Sequence, residues 1–139
     1  DWLYIRNAWP ERQLLCSEAG PKFPAGEELW AGHKAGSLNE NQKDIFLMSR
    51  PAEELFHVGK DPDQLSNVAA AKENADLLAS LRSVLDRWAD ETGDTIPEDP
   101  TNDRDDAYGK KLPGHKRGTM PGEERGATGI NHPGPVIIE

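Results

Sequence analysis

The stretch from about residue 72 to residue 92 constrains the fold of this chain most. Leu77, Leu78, Leu81, Val84, Leu85 and Trp88 recur at i, i+1, i+4, i+7, i+8 and i+11, so all six fall on one stripe of an α-helix. Glu73 and Asp76 sit near its positive end, where acidic side chains are favoured. Gly93 follows where the chain needs a residue that tolerates left-handed backbone, which ends the helix. A helix striped on one side cannot bury that stripe by itself. It must lie on a sheet or on another helix.

Two runs can supply the sheet. Residues 2–7 (WLYIRN) are aromatic and β-branched and read as a well-buried strand, with turn-prone Pro10 soon after. Residues 53–58 (EELFHV) alternate Glu54, Phe56 and Val58 against Leu55 and His57, again a strand pattern. Residues 13–16 offer a further partner strand. Gly20, Pro21 and Pro24 predict a loop, and residues 27–35 (EELWAGHKA) a helix stopped by Gly36. Residues 39–47 read as a second short helical stretch. Residues 59–63 form a tight turn, with Pro62 fixing φ and the Asp61 carboxylate free to accept from a nearby backbone N–H.

The remainder of the chain is compositionally different. Residues 96–139 hold six of the eleven prolines and seven of the thirteen glycines, with almost no periodicity. They read as an extended irregular tail, to be ordered only by a larger body or a neighbouring chain. Residues 1–95 are left to build the core, a size at which a domain folds alone but only marginally. Asp1 is not an initiator methionine, which leads to the expectation of a piece or processed product of a longer protein.

Charge and composition exclude several functions. Asp and Glu total 25 against 16 Lys and Arg, a formal net charge of −9, and the one basic cluster (Lys110, Lys111, Lys116, Arg117) has acidic neighbours. Nucleic acid, whose binding depends on clustered cations, is not an expected partner. Apolar runs of three or four residues are far too short for a membrane-spanning helix. A single cysteine, Cys16, rules out an internal disulfide framework and any multi-cysteine zinc site.

Each candidate for chemistry has a plainer competitor. Cys16 has neither a base nor a cation among Leu14, Leu15, Ser17 and Glu18, so it reads as a buried apolar side chain. Glu53 and Glu54 are adjacent and point to opposite faces of a strand, so they cannot converge as a catalytic pair. One is expected to be solvated and the other to pair with Arg or Lys. The acidic run Glu98, Asp99, Asp103, Asp105, Asp106 lacks the glycine and closing glutamate of a calcium loop and reads as solvated linker. His57 is expected at the core edge, hydrogen-bonded. His115 and His132 lie in the tail with nothing to distinguish them. His33 and Lys34 remain, an imidazole beside an ammonium that can bind an anionic ligand such as a sulfated sugar. No catalytic and no metal-binding residue is assigned.

Several short motifs recur in series. Tyr4-Ile5-Arg6-Asn7, then Ala35-Gly36-Ser37-Leu38-Asn39-Glu40-Asn41-Gln42, then Arg50-Pro51-Ala52-Glu53-Glu54-Leu55-Phe56, Asp61-Pro62, Asn67-Val68-Ala69, Leu81-Arg82, Leu85, Trp88 and Thr92-Gly93-Asp94 together resemble the C-terminal subdomain of sulfatases. The resemblance covers residues 2–94 and is nearest to the bacterial, sulfamidase-like branch related to heparan N-sulfatase. It implies an α+β fold: a small antiparallel sheet of about four strands with the amphipathic helix packed on it. It implies that the chain closes one side of a substrate cleft and contacts substrate, His33 included, while an N-terminal catalytic domain acts as its partner. Formylglycine and calcium are expected in that N-terminal domain and not here, since Cys16 is followed by Ser17, Glu18, Ala19 and Gly20 and so lacks the Cys/Ser-x-Pro-x-Arg pattern. The chain alone is expected to be inactive, and family habit implies a periplasmic or secreted location. The alternatives are a non-catalytic protein- or glycan-binding module of the same fold and a free-standing metal-dependent hydrolase.

Overall fold

The computed structural model describes residues 1–11, 20–98, 110–111, 113–114, 116, 118–119 and 121–123. The chain divides into two compact units. The first holds the described residues of Asp1–Arg6, Glu53–Thr101 and Arg117–Glu139, and the second those of Asn7–Ala52 and Asn102–Lys116.

In the first unit, strand β1 (Leu3–Arg6) pairs antiparallel with strand β2 (Glu53–Phe56), matching Leu3 to Phe56, Tyr4 to Leu55, Ile5 to Glu54 and Arg6 to Glu53. Leu55 turns its N–H and C=O away from β1. Its N–H donates to Asn67 Oδ1 at 3.0 Å, and its C=O accepts from Val68 N at 2.9 Å. Asn67 Nδ2 also donates to the Glu53 carbonyl at 3.2 Å, so one amide side chain caps this edge much as a third strand would. By the same alternation, Tyr4 and Arg6 direct their backbone groups to the other edge. The sheet is therefore two-stranded among the described residues, and the expectation of about four strands is corrected. Only two described runs have strand character, and residues 13–16 lie outside the described residues.

Helix α3 (Ala75–Thr92), preceded by a 3₁₀ turn at Lys72–Asn74, fills the span that the leucine stripe predicts and stops at Gly93, φ 73°. Its tie to the strands is polar as well as apolar. Arg82 bonds Glu53 on β2, and Arg6 on β1 donates to Asp86 at 2.6 Å. Tyr4, Arg6, Glu53 and Leu55 share one face of the sheet, and Leu55 at its centre is fully buried. Along the helical stripe only Leu78 is buried, and the other five residues are half-buried. Beyond β2 the Asp61 carboxylate accepts from the N–H groups of Leu65 and Ser66 at 3.0 and 2.9 Å, with Pro62 second in the turn that Gln64 N closes onto Asp61 O.

The second unit contains helix α1 (Pro24–Ala35), the one-turn helix α2 (Glu40–Lys43) and a 3₁₀ turn at Asp44–Phe46. Pro24 starts α1 and does not break it, because the first helical position needs no N–H donor and suits proline's fixed φ. Gly36 ends α1 at φ 68° in a Schellman arrangement: Ser37 N donates to Gly32 O and Gly36 N to His33 O, at 3.0 and 3.1 Å. A Cβ on Gly36 would meet no atom within 4 Å, so Gly36→Ala carries only the cost of left-handed backbone, about 1 kcal/mol. Thermal unfolding of that variant followed by circular dichroism checks this. The α2 helix is fixed by a capping box in which Gln42 N donates to Asn39 Oδ1 and Asn39 N to Gln42 Oε1. Arg50 then closes the loop, donating to the Asp44 carboxylate at 3.0 Å and, through its backbone N–H, to Pro10 O at 2.7 Å.

Candidate functional site

His33 lies in the last turn of α1, exposed, with its ring stacked on Phe46. The ring centroids are 4.0 Å apart and the planes 10° from parallel. Phe46 in turn receives Trp30 edge-on, at 5.3 Å and 90°. Trp30 and His33 are three residues apart and share one side of α1, so a single helix places both rings against Phe46. The 3₁₀ turn presents Phe46, and Leu47 N closes that turn on Asp44 O at 3.1 Å.

This tier of rings borders a groove of about 320 Å³ lined by His33, Gly36, Leu38, Lys43, Phe46 and Leu47. Its floor is carbon, its polar groups are an imidazole and an ammonium, and no carboxylate is among its lining residues. Leu38 packs over Gly32 so closely that a Cβ there would stand 2.5 Å from Leu38 Cδ2, which makes glycine part of the groove's shape. Lys43 pairs with Glu40 at 2.6 Å, but both side chains face solvent and such a pair is worth little. Lys34, also in the last turn of α1, is exposed and is not among the lining residues. Consecutive helical residues point about 100° apart, so adjacency to His33 in sequence does not bring Lys34 into the groove.

The most perturbed titrating groups sit elsewhere, in the first unit. Glu53 Oε1 accepts from Tyr4 OH at 2.5 Å and from Arg82 Nε at 2.6 Å, and its Oε2 accepts from Arg82 Nη2. The bonds from Arg82 and then Tyr4 hold the Glu53 carboxyl down to about 2. Burial first, then the hydrogen bond and charge of Glu53, push the Tyr4 phenol up to about 12. The Arg82 guanidinium is raised further by the bond to Glu53. A carboxylate with both oxygens engaged by a fork of donors is a poor base, so this cluster is a clamp between strands and helix. Glu54 is buried and not solvated, contrary to the strand-face expectation. His57 stacks at a tilt on Trp2, its cross-strand neighbour, with centroids 4.6 Å apart. Its Nδ1 is buried without a hydrogen-bond partner, which corrects the expectation of a hydrogen-bonded histidine.

Cys16, Asp99, Asp103, Asp105, Asp106, His115 and His132 lie outside the described residues. Among the described residues no three His, Cys, Asp or Glu side chains group to hold a metal ion, and no helix is long and apolar enough to cross a membrane. The sequence has a Ser-x-Pro at Ser49-Arg50-Pro51, but Glu53 stands where the formylglycine pattern requires arginine.

Among curated proteins the chain matches an ulvan-active sulfatase of Formosa agariphila, 39% identical over 98 residues, or 68% of this chain. This region is sulfatase-related. The match spans 16% of that sulfatase's own length. No family model matches the chain, and no solved structure matches it. Sequence reasoning singled out His33 in the sulfatase-related region but missed Phe46, Leu38 and Lys43. The capping-box spacing of Asn39 and Gln42 was the available signal, since it fixes the short helix that carries Lys43 and leads into Phe46.

Proposed function

We propose that this chain is the C-terminal subdomain of a sulfatase that hydrolyses sulfate esters or sulfamates of a glycan. The observation that carries the reading is the extended similarity to a sulfatase across two thirds of the chain. The serial motifs from Tyr4 to Asp94 favour the sulfamidase-like branch. In this reading the chain shapes one side of the cleft and contacts substrate through the α1 terminus, with His33 and Lys34 as its basic groups. The bond-breaking groups belong to an N-terminal catalytic domain, its partner within the same protein. Formylglycine would supply the attacking oxygen there and calcium the charge stabilisation. The present chain has no Cys/Ser-x-Pro-x-Arg pattern to become the first. The ulvan-active relative points to a sulfated polysaccharide as the substrate class.

The discriminating observation is the reading frame upstream of Asp1. A Cys/Ser-x-Pro-x-Arg sequence there, with its first residue found as formylglycine by peptide mass spectrometry, supports the reading. Its absence from the whole frame overturns the reading in favour of a non-catalytic binding module.

A further inference from the structure

We infer that the groove beside His33 is a sugar-stacking subsite, in which an anionic pyranose lies on the exposed face of the His33 ring and Lys43 holds its acidic substituent. The inference deepens the reading above and rests on it for the substrate class. Its evidence is the geometry of the second unit.

A sugar ring is amphipathic, with a C–H face that suits a flat ring and hydroxyl or acidic groups around its edge. The groove offers that pattern in reverse. Phe46 and Leu38 form a carbon floor, Leu47 forms a carbon wall, and the polar groups stand at the rim. Its volume of about 320 Å³ falls at the lower end of the range for small-molecule sites, about 300–1,000 Å³. The platform is built before any ligand arrives. His33 is held nearly parallel to Phe46, and Phe46 is braced edge-on by Trp30, so stacking requires little further ordering of side chains. The capping box of Asn39 and Gln42 fixes the helix from which Lys43 projects.

Charge identifies the occupant as an anion. The chain carries −9 overall, yet the residues lining this groove include a lysine and a histidine and no acid. Glu40 is the acidic neighbour to reckon with. Its side chain is 88% exposed and its pair with Lys43 spans one helical turn at the surface. An ammonium in such a pair turns readily to a sulfate or carboxylate that arrives with apolar contact already made. Lys34, outside the lining, contributes general attraction only.

The test is titration of the full 139-residue chain with a sulfated ulvan oligosaccharide and with its desulfated counterpart, read by calorimetry and by amide chemical shifts. Sulfate-dependent binding is expected, with shifts at His33, Lys43, Phe46 and Leu47. His33→Ala and Lys43→Ala should each weaken it about tenfold, whereas His33→Phe, which keeps a flat ring on Phe46, and Lys34→Ala should stay within about twofold. Gly32→Ala should weaken binding without changing charge, because it displaces Leu38 from the floor. His33 and Lys43 are exposed, and circular dichroism confirms that each variant is folded. Absence of binding, or sulfate-dependent binding that ignores His33→Ala and Lys43→Ala, overturns the subsite while the sulfatase reading stands. The expected binding in a protein whose full frame lacks the formylglycine pattern supports the subsite and overturns that reading alone.

Discussion

Leu55→Ala lowers the stability of the first unit by about 2–5 kcal/mol, the range for removing a fully enclosed leucine. Leu55 is the one side chain in the described residues with no exposed surface. It sits at the centre of the sheet face toward α3, flanked by Tyr4 across the strand pair and by Glu53 two residues back. Few other residues share its task, because the core counts only Leu55, Phe56 and Leu78 as buried apolar side chains. A unit of this size has little reserve, so the loss is a large fraction of the total. Urea unfolding should show the midpoint falling with an unchanged slope. Leu77→Ala, at a half-buried position of the same helix stripe, should cost clearly less. Equal midpoints for Leu55→Ala and the parent chain would place the core elsewhere.

The clamp at Glu53 gives the second large effect and a pH signature. Glu53→Gln retains shape but removes the charge that Arg82 and Tyr4 grip, and should lower the melting temperature by about 5 °C at neutral pH, the scale for a partly exposed bidentate pair. The folded carboxyl titrates at about 2, below its ordinary 4.5, so folding favours the ionised form. That contribution is complete above about pH 4.5, declines as the pH falls, and is gone below about 2. The difference between parent and variant should therefore shrink through that window and vanish at its acid end. In the same variant the Tyr4 phenol should titrate below 12, without reaching its ordinary value, because burial is the larger cause of its shift. A difference in melting temperature that persists unchanged to pH 2 would contradict the clamp.

The parts of this fold legible in the sequence were those fixed by local rules. The period of Leu77 to Trp88 and the glycine at 93 placed α3 within a few residues, and the alternation around Leu55 placed β2. Pro24 misled because proline breaks a helix in its interior but starts one at its first position, and only the structure shows which applies. The strand count, expected from resemblance, could not be read from composition, and an asparagine side chain at 67 does work assigned to a strand. The candidate site was half legible. His33 stood out as an imidazole beside a lysine. Its ring partner lies 13 residues on, across a glycine stop and two turns, and no periodicity connects the two. Lys34 was prominent because it is adjacent, and adjacency on a helix separates side chains.

The most direct test of the central claim, that this sulfatase-related region works on chemistry supplied by other polypeptide, is turnover of a sulfated substrate. The 139-residue chain and the complete reading frame that contains it should be assayed side by side, with the same calcium and the same sulfated oligosaccharide. The account predicts sulfate release by the complete protein and none by the chain. Sulfate release by the chain alone contradicts it.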